Sequence, residues 1–360
     1  MPWRAGPGNC MNELTAIIAL SRIKGINRIK KKEIIKTIDN LGDLFDGKIK
    51  ISDESLKTQI NAFKDWKDIE KAAGKLTKSG ADIVTIRDKE YPELLRHIPD
   101  PPLVLYKKGP LKSDSNTLAV VGSRKATFEG MALAEKIANT LSSLGITIVS
   151  GLARGIDASA HKGALSEKGK TIAVLGCGID ICYPAENIRL FEKIGEEGLL
   201  LTEYSAGDPP VNYHFPERNR IIAGLSKGVL VIEASGKSGS LITARLGLEY
   251  ARDVMAIPGS IFSDEHKGAN ALIKQGAKLV DGIEDILATS FPDFTLKKQQ
   301  KIEMDKDEDY VYSYIGHERI HVDGLIDNTG MQAKQVMAIL TRLEMKEIIR
   351  GFPGGYYIRR

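Results

Sequence analysis

The sequence predicts an α/β protein: a doubly wound parallel sheet, preceded by a small all-α module and followed by three helices and a β-hairpin. Three observations carry this. From Thr117 to about Leu287, six short, almost purely apolar runs alternate with helical stretches. From Asn12 to about Ile69 the apolar residues recur at helical spacing alone. After Pro292, three helical stretches lead into two short strand-like runs around Pro353-Gly354-Gly355.

In the first module, Leu14, Ile17, Ile18 and Ile23 make one apolar face, and Ile34, Ile35 and Ile38 begin another. Between them, Lys24-Gly-Ile-Asn-Arg-Ile-Lys30 resembles the hairpin of SAM-like or helix-hairpin-helix domains, where a glycine turn can present backbone N–H groups to a phosphate. Near Lys75 the character changes. Ile83–Ile86, Tyr91–Leu95 and Asp100–Tyr106 read as a strand, a connector and a second strand, with Pro101-Pro102 holding the approach extended.

The six apolar runs are Leu118–Val121, Thr147–Val149, Thr171–Leu175, Leu199–Thr202, Val229–Ile232 and Val254–Ile257. Strands this uniformly apolar are buried on both faces, and helices between them imply right-handed βαβ units. The domain is therefore expected to be Rossmann-like, with its ligand beyond the carboxyl ends of the strands.

The loops leaving the strand ends share one character. In order they are Gly122-Ser123-Arg124; Ser150-Gly151 with Arg154 and Asp157; Gly176 to Pro184 with Asn187 and Arg189; the loop carrying Asn212 to Arg220; Ala234 to Thr243 with Ser238-Gly239-Ser240; and Pro258-Gly-Ser260. Glycine and serine let a backbone approach a phosphate closely, and hydroxyls and arginine complete its coordination.

The most pointed stretch is Phe215-Pro-Glu-Arg-Asn-Arg-Ile-Ile-Ala-Gly-Leu-Ser226. It sets an aromatic ring, Arg218, Asn219 and Arg220 at a helix start, where unpaired N–H groups favour an anion and Phe215 can lie against a flat base. The plain alternative is that Arg218 and Arg220 pair with acids such as Glu217 or Glu203.

Charge sharpens this. The net +4 is uneven: residues 11 to 80 carry 15 basic and 10 acidic side chains, residues 117 to 288 carry 18 and 20, and residues 303 to 360 carry 8 and 10. If the centre binds phosphate, it must do so through a few placed arginines, not through a diffuse basic field. Cys10, Cys177 and Cys182 form no C-x-x-C pair, and an odd count without a secretory leader fits reduced thiols in the cytoplasm. The scattered histidines suggest no metal site, and no apolar run approaches the ~20 residues that span a bilayer. Residues 1 to 10 read as a disordered tail, with Met11 a suitable natural start.

Several enzyme classes fail on spacing. A dinucleotide fingerprint would need glycine where Ile181 stands, and a Walker A loop would need it where Val231 stands. Asp157, His161, Asp180, Glu203, His214 and Glu233 are candidate acids or bases, but nothing pairs a nucleophile with a base, and Asp157 and Asp180 suit helix caps or turns.

The last unit, with Gln332–Leu343 as its would-be recognition helix, reads as a winged helix. Only Lys334 and Arg342 lie on that helix, so a protein-contact role is expected. The expected domains are 11–74 (helical), 75–290 (Rossmann-like with its approach segment) and 305–360 (winged helix), with 291–304 as linker.

The motifs Gly122-Ser-Arg124, Ser150-Gly151 with Gly155-Ile-Asp157, Tyr183-Pro184 with Asn187, Thr202-Glu-Tyr204, Phe215 to Ser226, Ser238-Gly-Ser-Leu-Ile-Thr-Ala244, Pro258-Gly259 and Gly268-Ala-Asn270 together resemble the DNA-processing protein A (DprA, or Smf) family. The resemblance implies a non-enzymatic protein without cofactor that binds and protects incoming single-stranded DNA. It further implies a homodimer that loads a RecA-type recombinase during DNA uptake or recombination. In that family the Gly-Ser-Arg arginine and basic residues of the same cleft hold phosphates, which maps onto Arg124 first, then Arg154, Arg218 and Arg220. With the strand-end loops, the expected DNA-binding set is Gly122, Ser123, Arg124, Ser150, Gly151, Arg154, Asn187, Arg189, Phe215, Arg218, Asn219, Arg220, Ser238, Gly239 and Ser240. The rival is an enzyme resembling the nucleotide phosphoribohydrolases, whose Pro-Gly-Gly-x-Gly-Thr-x-x-Glu loop is replaced here by Ser238 to Ala244, without the catalytic acid.

Overall fold

A computed structural model describes residues 11–111, 116–166, 169–294, 304–316, 319–346 and 348–359. The expected tail 1–10 and most of the 291–304 linker lie outside these residues. The chain divides into two compact units at Phe294/Thr295.

The first unit opens with five helices: α1 (Glu13–Arg22), α2 (Arg28–Thr37), α3 (Gly42–Phe45), α4 (Glu54–Asn61) and α5 (Trp66–Ser79). The Asn12 side chain caps α1 by accepting from the Leu14 amide at 3.0 Å, as its sequence position invites. Helix α5 runs on through Lys75 and stops at Gly80, which takes the left-handed conformation at φ 68°.

A nine-stranded sheet comes next. Its strands are β1 (Asp82–Thr85), β2 (Val104–Lys108), β3 (Thr117–Val121), β4 (Thr147–Ser150), β5 (Thr171–Val174), β6 (Leu199–Thr202), β7 (Gly228–Val231), β8 (Asp253–Ala256) and β9 (Lys278–Leu279). The spatial order is β1-β2-β6-β5-β4-β3-β7-β8-β9. β6 through β9 are parallel, and the approach strands β1 and β2 close the other edge antiparallel, with Tyr106 opposite Thr202. β3 pairs with both β4 and β7, so the winding reverses beside β3 and leaves a crevice there. The interleaved helices are α6 (Glu93–Arg96), α7 (Phe128–Ser143), α8 (Ile156–Leu165), α9 (Ile188–Glu197), α10 (His214–Leu225), α11 (Ser240–Glu249), α12 (Lys267–Lys274) and α13 (Ile283–Ser290).

One core runs through the whole unit, from Ile17 and Leu20 of α1 through Leu105 and Tyr106 of β2 to Val121 and Val231 at the sheet's centre. Arg87 helps join the helices to the sheet: it pairs with Glu13 at 2.5 Å and donates to the carbonyl of Ile35 at 2.7 Å. No helix among the described residues is long and apolar enough to cross a membrane.

The second unit has helices α14 (Lys306–Ser313), α15 (Val322–Thr329) and α16 (Ala333–Met345), with strands β10 (Ile320–His321), β11 (Ile349–Phe352) and β12 (Tyr356–Arg359) in the order β10-β12-β11. Its separate core gathers Val311, Leu325, Val336, Leu340 and Ile349. This is the expected three-helix, β-hairpin wing.

Candidate nucleic-acid interface

The site grows from the start of α10. His214 is stacked on Tyr204 with ring centroids 3.8 Å apart, and its Nδ1 lies 3.2 Å from the carbonyl of Gly176 just past β5. These contacts fix the first turn against the carboxyl edge of the sheet. The Phe215 ring then packs against Gly176, where an added Cβ would come within 2.8 Å of the ring. Only glycine leaves the ring that space.

Around Phe215 the neighbouring strand ends converge. The Arg124 guanidinium, three residues past the end of β3, lies 5.4 Å from the Phe215 ring centroid. Tyr183, from the loop after β5, has its ring centroid 5.2 Å from that of Phe215, tilted by 32°, and is 45% exposed. Together with Gly151, Ala153, Arg154, Pro184 and Arg218, these three residues line a cavity of about 40 Å³. Arg124 itself is exposed and makes no ion pair among the described residues.

Arg218 forms the floor. Its side chain is buried, donates to the Val174 carbonyl at the end of β5, and leaves Nε without a hydrogen-bond partner. Burial depresses its pKa against the pull of Asp157, while burial raises that of the Asp157 carboxyl against the pull of Arg218. Asp157 accepts the Gly151 amide at 3.2 Å, so it acts as turn residue and counter-charge together. A Cβ on Gly151 would stand 2.0 Å from Arg218 Nη1, so the guanidinium occupies the space that the missing side chain leaves. Burial also pushes the Cys177 thiol beside this floor up to about 12 and His161 down to about 3. Neither is charged at neutral pH.

The remaining expected residues divide by position. Arg154 sits at the rim, exposed, and grips Glu186 with two guanidinium nitrogens, one at 2.7 Å. Asn187 donates to the Leu152 carbonyl at 3.0 Å, and the buried Ser150 hydroxyl donates to the Val120 carbonyl at 2.6 Å, so both shape the loops from behind. Ser123 holds the first turn by donating its amide to Glu233 at 2.7 Å and accepting the Lys125 amide at 3.1 Å. Gly122 packs there so closely that a Cβ would meet the Ile156 side chain at 2.5 Å. Asn219 reaches Gly239 at 3.3 Å, and the Ser238 and Ser240 hydroxyls lie 2.7 Å apart, which places this loop beside α10 at the end of β7. Arg189 is exposed on α9.

Arg220 turns away from the cavity. It is buried, binds Glu203, and lies 3.4 Å from Asp100. Pairing with Glu203 is thus its structural employment, whereas Glu217 takes Arg28 at 2.6 Å instead.

Tyr183 and Tyr213 are aromatic rings of this edge that fall outside the residues expected from sequence. Tyr213 directly precedes α10 and is 65% exposed. Their sequence signal was proximity to the Tyr183-Pro184 and Phe215-Pro216 motifs.

The arrangement offers an uncompensated cation over an aromatic face, a second ring beside it, and a buried guanidinium beneath. It suits a nucleobase with its phosphate.

Residues 82–290 match the family described as DNA recombination-mediator protein A, and residues 296–355 match the DprA winged helix domain. Protein Smf of Escherichia coli is 40% identical over 303 residues, covering 81% of this chain and 80% of that protein. The X-ray structure of DNA processing protein A from Streptococcus pneumoniae superposes with a TM-score of 0.66 at 40% identity, covering 76% of this chain and 96% of that one. DNA processing protein A from Helicobacter pylori, whose structure is described for its single-stranded DNA binding mode, gives a TM-score of 0.54 at 31% identity, covering 59% of this chain and 98% of that one.

Proposed function

Because the chain belongs to the DNA recombination-mediator protein A family, also called DprA or Smf, we propose that it binds single-stranded DNA along the carboxyl edge of its sheet, with Arg124 on a phosphate and Phe215 under a base. The observation that carries this reading is the exposed Arg124 guanidinium over the Phe215 ring, at the mouth of the cavity floored by Arg218. Every base has a π-face, so such a platform grips without reading sequence. Tyr183 extends the platform, while Arg154, held on Glu186, can swing its charge to a phosphate at the rim.

The same reading makes the protein a homodimer that protects incoming strands and loads a RecA-type recombinase, with no bond made or broken in the cleft. The family to which the chain belongs, together with the lack of a paired nucleophile and base in the sequence, supports this over a nucleotide-hydrolysing enzyme. Direct titration of oligo-dT against a duplex of the same length tests it: tighter single-strand binding is expected. Release of free base from a nucleotide, with no oligonucleotide affinity, would establish the enzyme instead. Recombinase loading is tested by whether the protein shortens the lag of filament growth on a strand already coated with single-strand-binding protein.

A further inference from the structure

Seven basic residues and one acidic residue lie between Arg22 and Lys36, the densest positive stretch near the sheet edge. They run from the end of α1 across the turn at Lys24 and along α2; in that turn Gly25 takes φ 93°, and the Asn27 side chain caps α2 by accepting the Lys30 amide at 2.8 Å. Four of the seven fasten the turn. Arg22 donates to the Ser205 hydroxyl, Arg28 pairs with Glu217 at 2.6 Å, Lys31 donates to the Ser21 carbonyl at 2.7 Å, and Lys32 donates to the Ile98 carbonyl at 2.6 Å.

Two of those anchors decide where the turn stands. Ser205 lies three residues past the end of β6, and Glu217 lies in the first turn of α10. The α1–α2 turn is thus bolted to the same carboxyl edge that carries the cavity, on its β6 side. Tyr213 precedes Glu217 by four residues, so the two fall on one side of the α10 start, next to the Arg28 anchor. The other three basic residues, Lys24, Lys30 and Lys36, are exposed, as is Ile29. The sole acid among them, Glu33, lies 3.8 Å from Lys30.

We infer that the α1–α2 turn is a second stretch of the strand-binding surface: a single strand leaving the Arg124–Phe215 cavity passes over Tyr213, and its phosphates reach Lys24 and Lys30. The inference rests on the function proposed above and extends it toward the N-terminal helices. Charge complementarity and continuity along one sheet edge favour a nucleic-acid strand as the occupant.

The experiment titrates the full chain with two oligo-dT probes over a salt series, one of about six nucleotides, near the lower end of what one site covers, and one of about twenty. In the double variant Lys24→Gln/Lys30→Gln, affinity for the longer probe falls about tenfold and its log–log salt slope drops by about 1.4, two phosphate contacts' worth, while the short probe binds as before. Tyr213→Ala, which changes no charge, weakens the longer probe alone and leaves the salt slope in place. Equal losses on both probes, or none on either, overturn the inference, as does recovery of an acidic protein partner as the ligand of these lysines. A native protein that binds neither probe removes the cavity reading itself, which separates that failure from this one.

Discussion

The guanidinium of Arg124 rests over the ring of Phe215, 5.4 Å from its centroid, although the two arrive from different strand-end loops. Cation and ring are each half-committed, and a base sliding between or beside them meets both. Phe215→Ala is expected to cost about 1–3 kcal/mol of binding to oligo-dT of any sequence. Arg124→Ala is expected to weaken binding and to lower the salt slope by about 0.7, the loss of one phosphate contact. An unchanged salt titration for Arg124→Ala would count decisively against the interface.

Gly151 and Arg218 interlock, since a Cβ at 151 would lie 2.0 Å from the guanidinium. Gly151→Ala is expected to destabilise by about 1–3 kcal/mol, as overpacking does, and to reduce strand binding in the protein that remains folded. Thermal unfolding and anisotropy on the same sample check both halves. Native values for both would show that the place of Arg218 is irrelevant.

Arg220, only two residues on, should behave differently. Arg220 is the buried member of its pair and Glu203 is largely shielded, so Arg220→Ala, which strips Glu203 of that partner, is expected to cost about 3 kcal/mol of stability. Strand affinity measured well below the melting point should stay close to native. A variant that melts normally yet binds poorly would move Arg220 into the interface.

His161 is fully buried beside Thr171, its ring nitrogen 2.7 Å from the hydroxyl, and burial holds its pKa near 3. A depressed folded-state value means that the unfolded chain takes the proton first. Stability is therefore complete above about pH 6.5 and declines toward pH 3, by up to about 1.4 kcal/mol per pH unit from this group. Imidazole NMR signals of His161 should stay fixed from pH 7.5 to 4.5; a midpoint near 6 refutes the burial argument.

The second unit has its own apolar core and a net charge of −2 over residues 303 to 360. Deleting those residues is expected to leave single-strand affinity nearly intact. A large loss in the titration would give the wing a share in the strand.

Much of this could be read from the chain, for definable reasons. β3 to β8 announce themselves because burial on both faces leaves no polar alternation to blur the apolar runs. β9 had no such signal: Lys278 and Leu279 are both exposed. That β2 joins β6, not β3, is a long-range pairing that local pattern does not encode. Arg218 and Arg220 look equivalent in the sequence, yet two positions on a helix are about 200° apart. One therefore faces the cavity with Asp157 as its counter-charge, and the other turns to pair with Glu203. Asp157 reads as a helix-cap or turn residue and lies in the first turn of α8, but its nearness to Arg218 depends on the junction of two strand ends.

The apolar interior shared by the five leading helices and the sheet limits what can be grafted or cut away. The helices cannot be exchanged like beads on a string, because their leucines and isoleucines and those of β1 and β2 close a single seam. A grafted replacement must rebuild that seam or bare it to water. The same holds for a cut between α5 and β1, which would leave apolar surface bare on both pieces.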